Sequence, residues 1–292
     1  MTLKPHAIIL TGNFFFGCSV IAIKQLSPLY MPALAINVVR ILTALVLFWV
    51  LYIFKKDKSK IIEKRDWPRL VGCALTGIII NQIFFVKGTS LTSPIHASLL
   101  GLSTPIVLIL ISIFIYKQAI NTKMILGVLL GILGAATLIF LKTRTDKEST
   151  IIGDILVIIN ASSYAVYLII SKPLLLKYSP ITVIRWAFTI GAIIIIPFGW
   201  NDFTSVNFEN IFQNQHNIMA LIFICVGATF ISYLCIMYGI AKMGSQVVGS
   251  YIYTQPIFAT IAAILLFDEP LNIQKIVAAF CIFFGVYLVS RK

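Results

Sequence analysis

Residues 103–121 read STPIVLILISIFIYKQAIN, and residues 254–272 read TQPIFATIAAILLFDEPLN. The two stretches align without a gap at a constant offset of 151 residues, which places Pro105 on Pro256. A generally apolar composition would not keep proline in register in this way. We therefore interpret the correspondence as an internal duplication, and this duplication decides the expected fold.

The correspondence extends beyond these stretches in both directions. It relates 88–140 to 239–291 at the same offset, and earlier segments of the two halves align at offsets of 148 and 145 residues. Further matched positions are Gly88 with Gly239, Gly134 with Gly285, Lys24 with Lys172, Pro32 with Pro180 and Arg40 with Arg185. Each half then holds five apolar segments. Because five is odd, the second copy must enter a membrane from the opposite side, so the sequence predicts two inverted repeats, 1–142 and 151–292.

Composition places the chain in a membrane. Hydrophobic residues make up 59% of the 292 residues, charged residues only 11%, and the mean hydropathy is +0.98. So few charges could not cover the surface of a water-soluble protein of this size. Since a hydrocarbon core of about 30 Å requires roughly 20 apolar residues of helix, we predict an all-α integral membrane protein with ten transmembrane helices. Their predicted limits are 7–26, 33–54, 68–87, 94–116, 123–141, 151–171, 181–200, 217–238, 246–267 and 272–290.

Lysine and arginine in the loops predict the orientation, because cytoplasmic loops retain these residues. The side shared by both termini carries fifteen of them: Lys4, Lys55, Lys56, Lys58, Lys60, Lys64, Arg65, Arg69, Lys117, Lys123, Lys172, Lys177, Lys242, Arg291 and Lys292. The opposite side carries at most six, which are Lys24, Lys87, Lys142, Arg144, Lys147 and Lys275. The chain is therefore expected to be a multi-pass protein of the cell membrane with both termini in the cytoplasm.

Several functions are excluded by what the sequence lacks. The formal charge of +13 does not indicate nucleic-acid binding, because the charges fall between apolar runs. The five cysteines have no metal-ligand spacing, so no metal or other cofactor is expected. The absence of a GxxxxGKS or GxxxxGKT phosphate loop excludes ATP-driven transport by this chain alone. The expected partners are a small-molecule substrate and the lipid bilayer, and a homodimer is allowed.

Two stretches carry a resemblance to a known family. They are VKGTSLTSPIHASLLGLSTPIVLILISIFIYKQAINTKMILGVLLGILGAATLIF at 86–140 and YGIAKMGSQVVGSYIYTQPIFATIAAILLFDEPLNIQKIVAAFCIFFGVYLV at 238–289. With them, nearly the whole chain resembles the EamA family of the drug/metabolite transporter superfamily. The resemblance implies a ten-helix carrier that exports or imports amino acids or other small metabolites by alternating access around a central cavity. It does not identify the solute.

Two arginines lie at bilayer depth, where a charge is costly and is a functional candidate. Arg40 follows the start of the second predicted span by about two helical turns, and Arg185 is its partner in the other half. One interpretation makes them anion-attracting or gate-forming cations. The alternative is that each side chain extends towards the nearer interface, with its stem packed on aromatic neighbours such as Trp186.

Polar residues around the two aligned prolines are further candidates for a binding site. They are His96, Ser103 and Thr104 in the first half, and Tyr251 and Gln255 in the second. A proline leaves the carbonyl four residues before it without its helical donor, which predicts available acceptors at Gly101 and Ile252. The alternative is a helix that bends only to fit its neighbours.

Other polar side chains inside the spans must form hydrogen bonds, either between helices or with a solute. The candidates for solute contact are Asn13, Asn81, Asn160 and Tyr233. The spacing of Gly127, Gly131 and Gly134 instead predicts close helix packing.

The sequence favours a secondary transporter that moves a small metabolite, an amino acid or similar, out across the cytoplasmic membrane. A channel-like or purely structural membrane protein remains an alternative, because a duplication determines architecture and not turnover. An intramembrane enzyme is disfavoured since HExxH, GxGD and GxSG patterns are all missing. No catalytic residue is predicted.

Overall fold

The computed structural model describes residues 3–55, 61–116, 122–140, 149–268 and 271–290, and these ranges contain helices and no strand. The first half forms α1 (Leu3–Leu26), α2 (Ala33–Lys55), α3 (Trp67–Ala74), α4 (Asn81–Ser90), α5 (Pro94–Leu100), α6 (Ser103–Tyr116) and α7 (Thr122–Phe140). The second forms α8 (Ile151–Leu175), α9 (Pro180–Thr204), α10 (Phe208–Phe212), α11 (Gln215–Ile222), α12 (Ser232–Met243), α13 (Ser245–Ser250), α14 (Gln255–Phe267) and α15 (Ile273–Ser290). Outside the described ranges lie the end of the first predicted repeat and the loop cations Lys56, Lys58, Lys60, Lys117, Lys142, Arg144, Lys147, Arg291 and Lys292.

Eight helical runs in the described part of the chain are long and apolar enough to cross a membrane. They are Lys4–Leu26, Ala33–Lys55, Lys64–Ser90, Pro94–Ile111, Ile151–Leu175, Pro180–Thr204, Gln215–Met243 and Ser245–Phe267. The two other predicted spans correspond to shorter apolar helices, Ile125–Thr137 and Ile273–Gly285. Large apolar side chains such as Leu265 and Phe280 are exposed on the outside of the bundle, as a lipid-facing surface requires. The prediction of an all-helical membrane protein is confirmed.

Serine caps and prolines fix where several of these helices begin. Ser93 precedes Pro94 at the start of α5, and its side chain accepts a hydrogen bond from the backbone N–H of His96. Ser179 precedes Pro180 at the start of α9 and accepts in the same way from Thr182. A serine cap satisfies one of the unpaired N–H groups of the first turn, and proline supplies a suitable φ without needing a donor.

Helices of the first half pack mainly on helices of the second. The principal pairs are α7 with α15, α2 with α9, α4 with α8, and α1 with both α12 and α14. Glycine permits the closest of these approaches, because a Cβ added at Gly285 would lie 2.5 Å from the carbonyl oxygen of Gly127. A Cβ at Gly134 would lie 2.9 Å from the carbonyl oxygen of Ala278. The predicted packing role is confirmed for Gly131 and Gly134, where an added Cβ would meet Ile106 and Ala278.

The helices that carry the two aligned prolines are both interrupted just before them. In the first half α5 ends at Leu100 and α6 begins at Ser103, while in the second a 3₁₀ segment, Tyr251–Thr254, joins α13 to α14. The prediction that the carbonyls of Gly101 and Ile252 lack a donor is wrong. The N–H of Thr104 donates to the Gly101 carbonyl at 3.1 Å, and the N–H of Gln255 donates to the Ile252 carbonyl. At both places a hydrogen bond between residues three apart replaces the bond between residues four apart, for which proline has no N–H.

Irregular helix also appears at matching places in the third and eighth predicted spans. A π-helical turn, Leu75–Ile80, joins α3 to α4, and a longer one, Phe223–Ile231, joins α11 to α12. Such turns leave backbone groups out of the regular ladder and are frequent at functional sites. Both lie beside the cavity described below.

Candidate functional site

A cavity lies between the helices of the two halves. Its empty volume is about 620 Å³, counting the part that is open to solvent. The polar residues that line it are Arg40, Asn81, Ser98, Thr104, Asn160, Tyr164, Tyr233 and Gln255. The remaining lining residues are Phe16, Gly17, Val20, Phe85, Ala97, Gly101 and Ile252. Apolar walls with a few converging polar groups are typical of a small-molecule site.

Arg40 is the one charged residue among the described residues that line the cavity. Its side chain is only 1% exposed, its Nε donates to Thr229 Oγ1 at 2.8 Å, and its guanidinium lies 5.9 Å from the Phe85 ring centroid. The Nη1 atom is buried and has no hydrogen-bond partner among the described residues. A buried cation with an unused donor is costly unless something neutralises it, so this position fits a site that receives an acceptor from a ligand.

Tyr233 joins three helical segments at the side of the cavity. Its hydroxyl lies 2.8 Å from the Gly77 carbonyl oxygen and 2.9 Å from Asn81 Oδ1, and the Nε2 of Gln82 donates to it at 3.1 Å. The single hydroxyl proton serves only one of the two acceptors at a time. Asn160 Nδ2 donates to the Asn81 carbonyl at 2.9 Å, which ties α8 to the same group. The predicted hydrogen bonds between helices are confirmed for these residues.

Gln255 connects α14 to α1. Its Nε2 donates to Asn13 Oδ1 at 2.7 Å, and Asn13 Nδ2 donates in turn to the Ile9 carbonyl at 2.9 Å. The backbones approach closely nearby, because a Cβ added at Gly17 would lie 2.6 Å from the Gln255 carbonyl oxygen. Asn13 is fully buried and does not line the cavity, so it holds Gln255 rather than facing a solute.

Packed aromatic rings close the bundle next to Tyr233. The Tyr233 ring lies 5.4 Å from Phe16, 5.2 Å from Phe188 and 6.3 Å from Tyr167, measured between ring centroids. Phe188 packs on Phe48 at 5.0 Å, and Phe48, Tyr167 and Phe188 have no exposed surface. The pairs of Tyr233 with Phe16 and with Phe188 are edge-to-face, an arrangement that stabilises packed aromatic clusters. We call these five residues the aromatic plug.

His96 is buried in a polar cluster outside the cavity. Its Nδ1 lies 3.6 Å from Asp154 Oδ1, and the Thr92 hydroxyl donates to the same oxygen at 2.5 Å. Asp154 is 0% exposed although the sequence places it close to a helix end. The structure therefore brings His96 to the junction of α5 and α8 and not to the lining, where its neighbours Ala97 and Ser98 lie.

Arg185 also lies away from the cavity. Its guanidinium carbon is 3.5 Å from the Tyr52 ring centroid, 4.7 Å from that of Trp49 and 5.4 Å from that of Trp186. These are cation–π contacts at the end of the bundle where α2 and α9 meet. The packing interpretation, with Trp186 as a neighbour, is the one that the geometry supports.

Two further candidates, Ser103 and Tyr251, form contacts outside the cavity lining. The Ser103 hydroxyl donates to the Leu100 carbonyl within the helix interruption. The Tyr251 hydroxyl lies 2.5 Å from His6 Nδ1, which ties the 3₁₀ segment to α1. Neither residue lines the cavity, whereas Thr104 does.

Sequence reasoning missed Tyr164, which lines the cavity and whose buried hydroxyl has no hydrogen-bond partner among the described residues. A signal was present, because Tyr164 follows Asn160 by four residues and so shares its helix face. Thr229, which accepts a hydrogen bond from Arg40, was also missed, although it precedes the candidate Tyr233 by four residues and so shares its helix face. No group of three His, Cys, Asp or Glu side chains suited to a metal ion occurs in the described ranges.

Comparison with known proteins gives consistent results along the whole chain. The profile described as the EamA-like transporter family matches residues 3–140 and 151–291. The chain is 25% identical over 290 residues to an uncharacterized transporter of Archaeoglobus fulgidus, a match that covers 99% of this chain and 100% of the relative. A second uncharacterized transporter of that organism is 26% identical over 294 residues, covering 100% of this chain and 97% of the relative.

More distant relatives extend the same pattern. A WAT1-related chloroplastic protein of Arabidopsis thaliana is 22% identical over 299 residues, which cover 99% of this chain and 70% of that protein. These names are consistent with the drug/metabolite transporter superfamily. A protein of known crystal structure superposes with a TM-score of 0.69 at 14% identity, covering 99% of this chain and 96% of the other. That likeness shows the fold alone.

Proposed function

Because the chain belongs to the EamA-like transporter family, we propose that it is a secondary transporter that moves a small metabolite across the cytoplasmic membrane by alternating access, with net export. Family membership and relatives named as transporters already indicate a multi-pass membrane protein that is not an enzyme. The solute, the direction and the mechanism are the parts that we propose.

One observation carries the proposal: a single cavity is lined by residues from both halves. Arg40, Asn81 and Thr104 come from the first half, and Tyr233 and Gln255 from the second. When two halves share a site at their junction, movement of one half against the other opens that site to alternate sides. The cavity lining is thus suited to a carrier that encloses its solute.

The aromatic plug supports the same mechanism. It seals the bundle beside Tyr233 with side chains from α1, α2, α8, α9 and α12, so the seal also crosses the junction of the halves. Relative movement of the halves would separate Phe48 from Phe188 and open this side. Two π-helical turns, Leu75–Ile80 and Phe223–Ile231, lie near Tyr233, and turns of this kind are frequent at functional sites.

We propose an architecture of ten spans in two inverted five-helix repeats, 1–142 and 151–292. The aligned helix interruptions, the two π-helical turns and the pairing of α7 with α15 support it. The shorter helices Ile125–Thr137 and Ile273–Gly285 would supply the fifth and tenth spans. We also propose that both termini lie in the cytoplasm, which the bias of lysine and arginine in the loops supports.

We assign solute contact to six lining residues among the sequence candidates: Arg40, Asn81, Thr104, Asn160, Tyr233 and Gln255. Asn13 positions Gln255. Arg185, His96, Ser103 and Tyr251 belong to the surrounding framework. A small solute and the lipid bilayer are the partners that this assignment requires.

Flux in proteoliposomes tests the proposal. The purified full chain is reconstituted, and uptake of labelled metabolites is measured with and without the same unlabelled metabolite on the opposite side. A carrier saturates and is accelerated by solute on the other side, whereas a channel does neither. Arg40→Ala and Gln255→Ala should reduce flux at equal membrane levels, and Gln246→Ala, at an exposed position of α13, should not. Non-saturating flux, or none for any metabolite, would reject the carrier in favour of a channel-like or structural role.

A further inference from the structure

The cavity presents buried donors that lack acceptors. The Nη1 of Arg40 and the hydroxyl of Tyr164 are both buried, and neither has a hydrogen-bond partner among the described residues. Both residues line the cavity, one from α2 and the other from α8. Buried polar groups in native structures are nearly always hydrogen-bonded, so each exception requires an explanation.

A solute that brings two acceptor oxygens explains both exceptions together. A carboxylate is planar, carries its charge on two oxygens, and matches the geometry in which a guanidinium donates. One of its oxygens can accept from the guanidinium and the other from the phenolic hydroxyl. A neutral amide offers one acceptor and no charge, so it would leave the buried guanidinium without a counterion.

The cavity lining also disfavours a positively charged group on the solute. No Asp or Glu is present among the described residues that line the cavity. Asp154 forms contacts with Thr92 and His96 elsewhere. An ammonium group on the solute would therefore lose its hydration without gaining a carboxylate, next to a fixed cation.

The remaining wall is apolar and aromatic. Phe16, Phe85 and Val20 line it beside the ring of Tyr164. These groups suit the hydrocarbon or aromatic body of a small molecule.

We infer that the transported solute is a small organic carboxylate with an apolar body and no amino group, held through its carboxylate by Arg40 and Tyr164. The inference rests on the proposed transport function and sharpens it, because it favours an anion over a zwitterionic amino acid. It also makes Tyr164 a specificity-determining residue.

Ligand pairs that differ by one group test this assignment. The probes are isocaproate, isocaproamide and leucine, together with phenylpropanoate, phenylpropanamide and phenylalanine. Thermal unfolding of the purified full chain is followed at rising concentration of each probe. We expect at least one carboxylate to raise the unfolding midpoint in a saturable way, with the matching amide and amino acid about tenfold weaker or more.

Three variants separate binding from folding. Arg40→Gln should abolish the carboxylate response, and Arg185→Gln, the matched arginine outside the cavity, should keep it. Tyr164→Phe removes a hydroxyl without a partner and leaves the ring in place, so the ligand-free protein should be as stable as the parent or more stable. Its apparent affinity for the carboxylate should nevertheless fall about tenfold. Tyr164→Phe keeps the test informative if Arg40→Gln does not fold.

The outcomes distinguish this inference from the transport function. An amino acid that binds or is transported as well as its carboxylate would overturn the inference while leaving a carrier. A carboxylate response that survives Tyr164→Phe unchanged, or no response to either carboxylate, would also overturn it. Carboxylate binding without saturable flux in proteoliposomes would instead support the site and reject the transport function.

Discussion

Arg40 Nε donates to Thr229 Oγ1 across 2.8 Å, so the lining cation of one half is anchored on a residue of the other. Thr229 lies in the π-helical turn Phe223–Ile231, and its hydroxyl donates to the Ile224 carbonyl at 2.7 Å. The irregular turn thereby presents an oxygen to the guanidinium. Any movement of the two halves that separates these residues changes the environment of the cavity's charge.

Replacing Thr229 by valine keeps the shape of the side chain and removes this acceptor. Because Arg40 Nε then remains buried without a partner, we expect the free energy of unfolding to fall by about 1–3 kcal/mol. Uptake into proteoliposomes should fall as well. The control is Thr189→Val, which removes a hydroxyl that accepts from Trp49 Nε1 at 3.1 Å outside the cavity. That variant should lose stability but keep the uptake rate, and equal uptake in both would contradict the role of Thr229.

The pair Asn13 and Gln255 should act as one unit. We expect Gln255→Ala to weaken apparent solute affinity directly and Asn13→Ala to weaken it by releasing Gln255. In the double variant the two losses should not add, with a coupling of about 0.5–3 kcal/mol as found for residues in contact. The measurement is the concentration for half-maximal uptake in the four proteins of the cycle. Fully additive losses would show that Asn13 does not act through Gln255.

Gly17→Ala should separate α1 from α14. The added Cβ would lie 2.6 Å from the Gln255 carbonyl oxygen, which is backbone and cannot move alone. We expect a loss of about 1–3 kcal/mol, as for other overpacked contacts, and a weaker apparent affinity. Gly249→Ala is the control, since its Cβ would lie 3.4 Å from Leu108 Cδ1, an ordinary contact. The measurement is the thermal unfolding midpoint of each variant in detergent. A Gly17→Ala protein as stable as Gly249→Ala would refute the close approach of α1 to α14.

Asp154→Asn should destabilise the fold without changing solute recognition. The Asp154 side chain is 0% exposed, accepts a hydrogen bond from the Thr92 hydroxyl and lies beside His96, so replacing one of its oxygens by an amide NH2 disrupts a buried polar cluster. Loss of a buried hydrogen-bond acceptor typically costs about 1–3 kcal/mol. The half-exposed Asp202 provides the control, because Asp202→Asn should change stability by less than about 0.5 kcal/mol. In the folded fraction the half-saturation concentration for uptake should equal that of the parent, and a changed value would place Asp154 in the site.

Six of the residues that the sequence offers as candidates for solute contact line the cavity, and their contact with a solute stays a prediction. Arg40, Asn81, Thr104, Asn160, Tyr233 and Gln255 line the cavity as expected of polar residues at bilayer depth. His96 and Arg185 do not, because a polar or charged side chain in a span can also be satisfied by a neighbouring helix. Which neighbour it meets depends on how the helices rotate against each other, and a single sequence does not contain that rotation.

The sequence by itself determined the membrane class, the helical content and the duplicated segments, because hydrophobic length and prolines in register are local properties of the chain. The tertiary structure decided that α1 approaches α14 at Gly17, that Asp154 meets His96, and that Tyr164 enters the lining. It also decided that the carbonyls of Gly101 and Ile252, four residues before each aligned proline, accept from donors three residues later. These outcomes depend on contacts between residues far apart in the chain, and packing between helices selects them.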